Sequence, residues 1–172
     1  MTPRELPLLL VRHAVAEDAH ALGDGARALT PEGRALFRQH ARKLARLTPL
    51  VGIFTSPLVR AVQTAELLAE CFGLSQVEVH PALLPRKGAH TRILKLARSV
   101  GPGYALVGHN PSLERALALA LEAGGDEAPD KLRKGTVAAL QPSGKKGYRL
   151  DWWAAPGRTV KHFGPEALTR AR

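Results

Sequence analysis

The feature that most constrains the fold is a short apolar run near the N-terminus that ends in two polar residues. Residues 6–11 include five apolar side chains in six positions, interrupted by Pro7. Apolar side chains at successive positions predict a strand that is covered on both faces, as in parallel sheets. The run ends in Arg12 and His13, and ligand sites of open parallel sheets lie beyond the carboxyl ends of strands. Taken alone, this stretch is equally compatible with an anion site and with a strand end in solvent.

Composition narrows the class of protein. A length of 172 residues with 45% hydrophobic content predicts a single globular domain over residues 1–172. The single cysteine, Cys71, excludes an intramolecular disulfide, and its apolar neighbours predict a buried structural thiol. We expect a cytoplasmic protein with no membrane partner, because no signal-peptide pattern and no bilayer-length apolar stretch is visible. The net charge of +10 favours anionic partners, which include nucleic acid, phosphorylated proteins and phosphorylated metabolites.

Strand and helix patterns alternate along the chain. Strands are predicted at residues 6–11, 50–55, 77–79, 104–107, 136–141 and 148–153, the last two as an antiparallel pair. Helices are predicted at residues 31–47, 57–72, 91–99 and 111–123, with Thr30, Ser56 and Asn110 as N-caps before prolines. The last helix is nearly all apolar, which predicts deep burial, and the tail from Pro156 has no assignable pattern. This alternation predicts an α/β fold, with three α/β/α layers around a mostly parallel central sheet.

Polar residues stand at equivalent positions after three of the predicted strands. Arg12 and His13 end the first strand, Arg60 lies in the first turn of the helix after the second, and His109 follows the strand at 104–107. The carboxyl ends of parallel strands share one edge of the sheet, and two helix N-termini add partial positive charge there. Each residue alone is compatible with an ordinary surface role. Together they predict one anion site.

These residue types suit phosphoryl transfer. Two guanidinium groups can hold phosphoryl oxygens through charge-assisted hydrogen bonds while charge shifts in the transition state. A neutral imidazole can attack phosphorus and form a covalent phosphohistidine, and an ordinary histidine pKa of about 6.5 keeps neutral base available at pH 7. A second imidazole can donate a hydrogen bond or move protons. This chemistry needs no metal or other cofactor, and the seven histidines show no zinc-type spacing.

Three segments resemble the histidine phosphatase (phosphoglycerate mutase-like) superfamily. LVRHA at residues 10–14 looks like its R-H-G signature, and TSPLVRAVQTA at residues 55–65 resembles its S-P-x-x-R-A-x-Q-T-A segment. LVGHNP at residues 106–111 resembles its later G-H segment, and residues 29–33 also fit. Order and spacing agree over about residues 8–123. The short length and the H-N-P form look most like the small phosphohistidine phosphatases of the SixA type.

The resemblance implies a phosphoglycerate mutase-like fold with a catalytic set drawn from both histidines and both arginines. It implies that His13 is the nucleophile and that three side chains hold the phosphoryl group: Arg12, Arg60 and His109. In this chain Ala14 replaces the signature glycine, a small change that still lets a phosphate approach.

A second departure from the family bears on the substrate. Many members carry a glutamate general acid in the loop after the second helix, whereas residues 81–85 read PALLP. An alkyl phosphate ester needs a proton on its leaving alkoxide, but the ring nitrogen of a phosphohistidine can be protonated from solvent beforehand. The missing acid therefore favours N-phosphorylated or activated substrates. Glu17 or Asp18 is the candidate replacement acid, the alternative being an ordinary solvated loop carboxylate.

The sequence thus predicts a metal-independent phosphatase that hydrolyses phosphohistidine in proteins through a covalent intermediate. One alternative is a phosphatase for small esters such as sugar or nucleotide phosphates; a mutase is disfavoured because the chain lacks long insertions for a lid. Another alternative is a non-catalytic module that binds a phosphorylated protein or nucleic acid. Its support is a line of arginines and a basic tail: Arg34, Arg38, Arg42, Arg46, Lys161, Arg170 and Arg172.

Two further expectations concern the partner. Nucleic acid is disfavoured because a binder needs stacking aromatics among its basic residues, and only Trp152 and Trp153 are candidates. Alternation along a strand places at least one of these two tryptophans in the core. The loop that contains Arg86, Lys87 and Gly88 is predicted to border the phosphoryl pocket.

Overall fold

The structure is a computed structural model, and it describes residues 6–164. Seven strands of this part of the chain form one sheet: β1 (Leu8–Arg12), β2 (Gly52–Thr55), β3 (Glu78–Val79), β4 (Tyr104–Gly108), β5 (Val137–Ser143), β6 (Gly147–Ala154) and β7 (Lys161–His162). Their order across the sheet is β3-β2-β4-β1-β5-β6-β7. The first four of these are mutually parallel, and antiparallel pairing is confined to the side from β5 to β7. The predicted parallel core and the predicted antiparallel pair are both confirmed.

Helices cover both faces of the sheet, as predicted. They are α1 (Pro31–Leu44), α2 (Val59–Phe72), α3 (Ala89–Val100) and α4 (Ser112–Gly124). Alternate residues of β1 enter different cores: Leu9 and Val11 pack with α1 and α2, whereas Leu8 and Leu10 pack with α3 and α4. Because both faces are covered, β1 is apolar at successive positions rather than at alternate ones.

The start of α1 is as predicted, but its end is not. The Thr30 hydroxyl accepts a hydrogen bond from the amide of Gly33 at 2.9 Å, and Pro31 is the first helical residue. The helix ends at Leu44 instead of residue 47, because the amides of Arg46 and Leu47 bond three residues back, in tight turns. Of the predicted line of arginines, Arg34, Arg38 and Arg42 share a face of α1, and Arg46 lies beyond its end.

Two predicted N-caps are wrong. Helix α2 begins at Val59, two residues later than predicted, with Leu58 at its N-cap. Ser56 is fully buried, and its hydroxyl lies 2.7 Å from Nε2 of His109. Helix α4 begins at Ser112 after Pro111, and the side-chain amide of Asn110 donates instead to the carbonyl of Leu132 at 3.0 Å. In both cases the side chain bonds to a residue distant in the chain, and neither bonds to an amide within its own helix.

Burial differs from expectation at two further places. Helix α4 is covered on one face only, and Leu119 on its outer face is 44% exposed. Cys71 is half-buried rather than buried, and its thiol, whose pKa burial raises, contacts the carbonyl of Arg38. Trp152 and Trp153 are both buried, in the two different cores.

The tail is described only in part. Its residues Lys161 and His162 form the edge strand β7 against β6, a strand that the sequence did not predict. Arg170 and Arg172 lie outside the described residues. Within residues 6–164, no helix combines the length and the apolarity needed to cross a membrane.

Candidate active site

The carboxyl ends of β1 and β4 bring the two predicted histidines together. The imidazole rings of His13 and His109 lie 5.1 Å apart between centroids, and both residues are buried. The backbone amide of His13 donates to the carbonyl of Gly108 at 3.1 Å, which fixes the two strand ends side by side. Arg12 and Arg60 also belong to this cluster, because their charges act on the pKa of His13. The sequence prediction that these four residues share one edge is correct.

The hydrogen bond of the His13 ring determines which nitrogen is free. Nδ1 lies 2.7 Å from the carbonyl oxygen of Ala14. Because a carbonyl only accepts, Nδ1 carries the proton and Nε2 keeps its lone pair. Burial, followed by the charges of Arg60 and Arg12, lowers the pKa of His13 to about 4. At pH 7 the ring is therefore a neutral base with its unprotonated nitrogen opposite the Ala14 contact.

The second imidazole is prepared as a donor. Nε2 of His109 lies 2.7 Å from the hydroxyl of Ser56, which also accepts a hydrogen bond from the amide of Leu58 at 3.3 Å. In the tautomer that carries the ring proton of His109 on Nδ1, the hydroxyl donates its own proton to Nε2, so both contacts of the hydroxyl are satisfied. Burial, followed by the neighbouring charges of His13 and Arg60, lowers the pKa of His109 to about 3. The ring is neutral and offers one N–H.

Three buried polar atoms of this cluster have no partner among the described residues. They are Nε of Arg12, Nε of Arg60 and Nδ1 of His109. An unpartnered buried donor costs about 1–3 kcal/mol, and buried donors in proteins are nearly always satisfied. Acceptor oxygens of an anion are suitable partners for guanidinium and imidazole N–H groups. The cluster therefore fits a tetrahedral oxyanion.

Both guanidinium groups are held by backbone carbonyls, and one also by a carboxylate. Arg12 donates from Nη1 to the carbonyl of Leu132 at 3.0 Å. Arg60 donates from Nη1 to the carbonyl of Asp24 at 2.9 Å and from Nη2 to its carboxylate at 3.1 Å. Slight desolvation raises the pKa of Asp24, but the hydrogen bonds and charges of Arg60 and Arg27 outweigh this and lower the pKa overall. Asp24 is thus an ionised neighbour of the site.

The segment before β5 places a further cation at the site. The amide of Gly135 donates to the carbonyls of Arg12 and His13, at 3.1 and 3.0 Å. Gly135 has a φ of +77°, a left-handed conformation that favours glycine. Lys134 precedes it, and its charge also lowers the pKa of His13. Lys134, Asp24 and Ser56 were missed from the sequence because no motif marks the first two and Ser56 has the pattern of a helix cap.

A threonine links the end of β1 to α2. The Thr64 hydroxyl accepts from the amide of Ala14 at 3.0 Å and donates to the carbonyl of Arg60 at 2.7 Å. Thr64 is fully buried. It therefore fixes the end of β1 relative to the first turn of α2.

The candidate proton donor has a contact within its own loop. The Glu17 carboxylate accepts from the amide of Ala28 at 3.2 Å, and the amide of Glu17 donates to the Ala28 carbonyl at 2.9 Å. A role for Glu17 or Asp18 in proton supply stays a prediction. Residues Pro81–Leu83 form a short 3-10 helix in which Ala82 and Leu83 are buried. In the described part of the chain, no group of three or more His, Cys, Asp or Glu residues is arranged to hold a metal ion.

Comparison with known proteins relates the sequence of this chain to a protein family. The sequence profile of the histidine phosphatase superfamily (branch 1) matches residues 8–87. An uncharacterized protein of the cyanobacterium Picosynechococcus sp. is 37% identical over 113 residues, which cover 63% of this chain and 68% of the relative.

Solved structures share the fold. The protein histidine phosphatase SixA in complex with tungstate matches with a TM-score of 0.73 and 23% identity over 88% of this chain and 97% of its own. A putative phosphohistidine phosphatase SixA from Agrobacterium tumefaciens matches with a TM-score of 0.70 and 26% identity over 89% and 99%. A mycobacterial glucosyl-3-phosphoglycerate phosphatase matches with a TM-score of 0.63 and 17% identity over 86% and 98%. The architecture is therefore common to SixA structures and to a glucosyl-3-phosphoglycerate phosphatase.

Proposed function

Because the chain belongs to the histidine phosphatase superfamily and is a phosphatase, we propose that it hydrolyses phosphohistidine in cytoplasmic proteins, with His13 as nucleophile and without a metal ion. One observation carries the proposal. The neutral His13 ring, with its lone pair on Nε2, shares a buried cluster with three unpartnered donors. A nucleophile and an oxyanion site are thus assembled before any substrate binds, which is the arrangement that phosphoryl transfer requires.

The reaction proceeds in two displacements. In the first, Nε2 of His13 forms a bond to phosphorus while the bond from phosphorus to the leaving nitrogen breaks. Arg12 and Arg60 hold the phosphoryl oxygens, and Nδ1 of His109 donates to them. The phosphorylated ring of His13 carries extra positive charge, which its hydrogen bond to the Ala14 carbonyl stabilises. In the second displacement, water attacks phosphorus, inorganic phosphate leaves, and the neutral imidazole returns.

The substrate preference follows from the carboxylates around the site. No carboxylate lies in residues 81–85, and Asp24 is held ionised by Arg60. An ionised carboxylate cannot protonate an alkoxide leaving group at neutral pH. A phosphohistidine leaves as a ring that solvent has already protonated, so it does not need that acid. These two features support N-phosphorylated substrates over simple alkyl esters.

A small phosphate ester is the second candidate substrate. The fold similarity to a mycobacterial glucosyl-3-phosphoglycerate phosphatase favours it, although that protein is only 17% identical and the similarity concerns the fold alone. A non-catalytic binding module is less well supported, because binding alone does not need a neutral imidazole with a free lone pair. A module that binds nucleic acid is less well supported still, because Trp152 and Trp153 are buried and cannot stack on bases.

The test compares two substrates and two enzymes with EDTA present. Phosphate release is measured from a phosphohistidine peptide and from an alkyl phosphate such as glycerol phosphate, with wild type and with His13→Ala. We expect turnover of the phosphohistidine peptide at a kcat/KM at least about a hundredfold above that of the alkyl ester, corresponding to about 2.7 kcal/mol. The variant should be inactive on both. Preference for the alkyl ester, or wild-type activity that EDTA abolishes, would contradict the proposal.

A further inference from the structure

A second cavity, of about 730 Å³, lies beside the short 3-10 helix and α3. We call it the α3 groove. Its volume is within the range of ligand-binding clefts. Apolar side chains, including Pro81 and Leu96, contribute to its walls. Four cations also line it: Arg86, Lys87, Arg92 and Lys95.

The local structure explains why the four cations converge. Arg92 and Lys95 are three residues apart on α3 and therefore share one helix face. Arg86 and Lys87 come from the loop that leads into α3, and a hydrogen bond of 3.2 Å from Nη2 of Arg92 to the carbonyl of Lys87 joins that loop to the helix. The four cations thus come from one continuous segment of chain, residues 86–95.

The positive charge of the groove is not neutralised. None of the four side chains forms an ion pair with a carboxylate of residues 6–164, whereas Arg38 on α1 pairs with Glu70 at 3.3 Å and Arg60 pairs with Asp24 at 3.1 Å. Unpaired like charges that face one cavity repel one another and attract an anion into it. The groove therefore favours an occupant that carries several negative charges.

The groove adjoins the active site without being part of it. The amide of His80, which lines the groove, donates to the carbonyl of Thr55, whose neighbour Ser56 contacts His109. On the same side, a Cβ placed on Gly108 would meet the side chain of Leu83 at 3.6 Å. The 3-10 helix thus lines the groove with Pro81 and Ala82 and packs with Leu83 against Gly108, at the end of β4. The cations that act most strongly on the pKa of His13 are Arg60, Arg12 and Lys134, none of which lines the groove.

We propose that the α3 groove binds an acidic segment of the phosphohistidine-bearing protein, which the four cations hold while the phosphoryl group reaches His13. The proposal rests on the proposed function and adds a recognition element to it. A small phosphate ester cannot contact His13 and also fill a cavity beyond the 3-10 helix, whereas a polypeptide can extend from one to the other. An extended chain spans about 3.3 Å per residue, so five to six residues cover the length of α3, about 18 Å. An arm of about ten residues, about 33 Å long, covers the groove and extends beyond it.

The experiment uses two phosphohistidine peptides that differ only in charge. One carries an arm of about ten residues with four glutamates, and the other has glutamine at those four positions. They are compared on wild type, on Arg92→Gln/Lys95→Gln, and on Arg42→Gln/Lys43→Gln as a control. The control removes the same charge from exposed positions of α1. Exposed charge pairs contribute modestly and are screened by salt, so the assays run at low ionic strength.

We expect wild type to prefer the glutamate arm about fivefold in kcat/KM, mainly through KM. The groove variant should lose that preference, the control should keep it, and all three should hydrolyse p-nitrophenyl phosphate equally. Equal use of both arms by wild type, or an equal loss in the control variant, would overturn the proposal. If no enzyme hydrolyses either peptide while p-nitrophenyl phosphate is turned over, the proposed function fails instead.

Binding measured separately keeps the groove testable in that case. Fluorescence anisotropy of the unphosphorylated, labelled arms should show the glutamate arm binding about fivefold more tightly than the glutamine arm to wild type and to the control. The groove variant should bind the two arms alike. Absence of that difference in wild type overturns the groove. ATP serves as a small polyanionic competitor. If ATP displaces the glutamate arm at concentrations far below those at which the arm itself binds, the groove binds a small polyanion and the proposal is overturned.

Discussion

Replacement of Thr64 tests how the end of β1 is held against α2. Thr64→Val keeps the shape of the side chain but removes the hydroxyl that serves the Ala14 amide and the Arg60 carbonyl. The Ala14 amide, in a residue only 3% exposed, then has no partner, and such a buried donor costs about 1–3 kcal/mol. For a chain of this size, about 2 kcal/mol corresponds to a fall in Tm of roughly 4–8 °C.

The same change should reduce activity, because the Ala14 carbonyl accepts the His13 ring proton and Arg60 is proposed to hold the phosphoryl group. We expect kcat/KM on a phosphohistidine peptide to fall about tenfold, a change of about 1.4 kcal/mol. Thr64→Ser is the matched control: it loses one methyl group but keeps the hydroxyl, so its kcat/KM should stay within about twofold of wild type. A Thr64→Val enzyme with wild-type Tm and kcat/KM, or a Thr64→Ser enzyme as impaired as Thr64→Val, would refute this reasoning.

Three further predictions concern charge and protonation. Burial is the main cause that lowers the pKa of His13, His40 and His109, to about 4, 4 and 3. As the pH falls through about 6.5, these histidines bind protons in the unfolded chain but stay neutral in the folded chain. The free energy of unfolding is therefore greatest above that pH and declines below it. Urea titrations should show that the free energy of unfolding falls by roughly 2 kcal/mol per histidine between pH 7 and pH 5. In His40→Gln the total fall should be smaller by the contribution of one histidine. A free energy of unfolding that does not depend on pH would contradict the inference that these histidines are buried and neutral. Asp24→Asn removes a negative charge next to the oxyanion site, so the inhibition constant of inorganic phosphate should fall about two- to threefold; a rise would mean that Asp24 chiefly positions Arg60. Glu17→Ala should leave phosphohistidine hydrolysis within about twofold of wild type, since its carboxylate is occupied by the Ala28 amide; a large loss at neutral pH that Glu17→Asp restores would make it the proton donor.

The layer architecture could be predicted because two signals agreed along the chain. Strands buried on both faces are apolar at every position, as residues 8–11 are. Helix termini were readable where a side chain bonds locally, as Thr30 does with Gly33. The prediction failed at Ser56 and Asn110, where the same residue types bond to distant partners. Local sequence cannot distinguish a cap from a contact made across 53 residues, as between Ser56 and His109.

The candidate site was predicted in its four main residues and missed in those that support them. Arg12, His13, Arg60 and His109 follow from topology, because parallel strands end at a common edge. Asp24 and Lys134 lie in irregular segments, and their place depends on backbone hydrogen bonds such as those from Gly135 to the end of β1. No periodicity or motif encodes such contacts. Arg86 and Lys87 were predicted to border the phosphoryl pocket, and the structure places them in the lining of the α3 groove, which the sequence did not predict.

Capture of the covalent intermediate tests directly whether His13 attacks phosphorus. Wild type and His13→Ala are mixed with a phosphohistidine peptide in EDTA, quenched in alkali within milliseconds, and analysed by intact mass and peptide mapping at alkaline pH. We expect one phosphoryl group per chain, on His13, that is stable in alkali, lost in acid and absent from the variant. Turnover by wild type without a labelled His13, or the same label on the variant, would contradict this expectation.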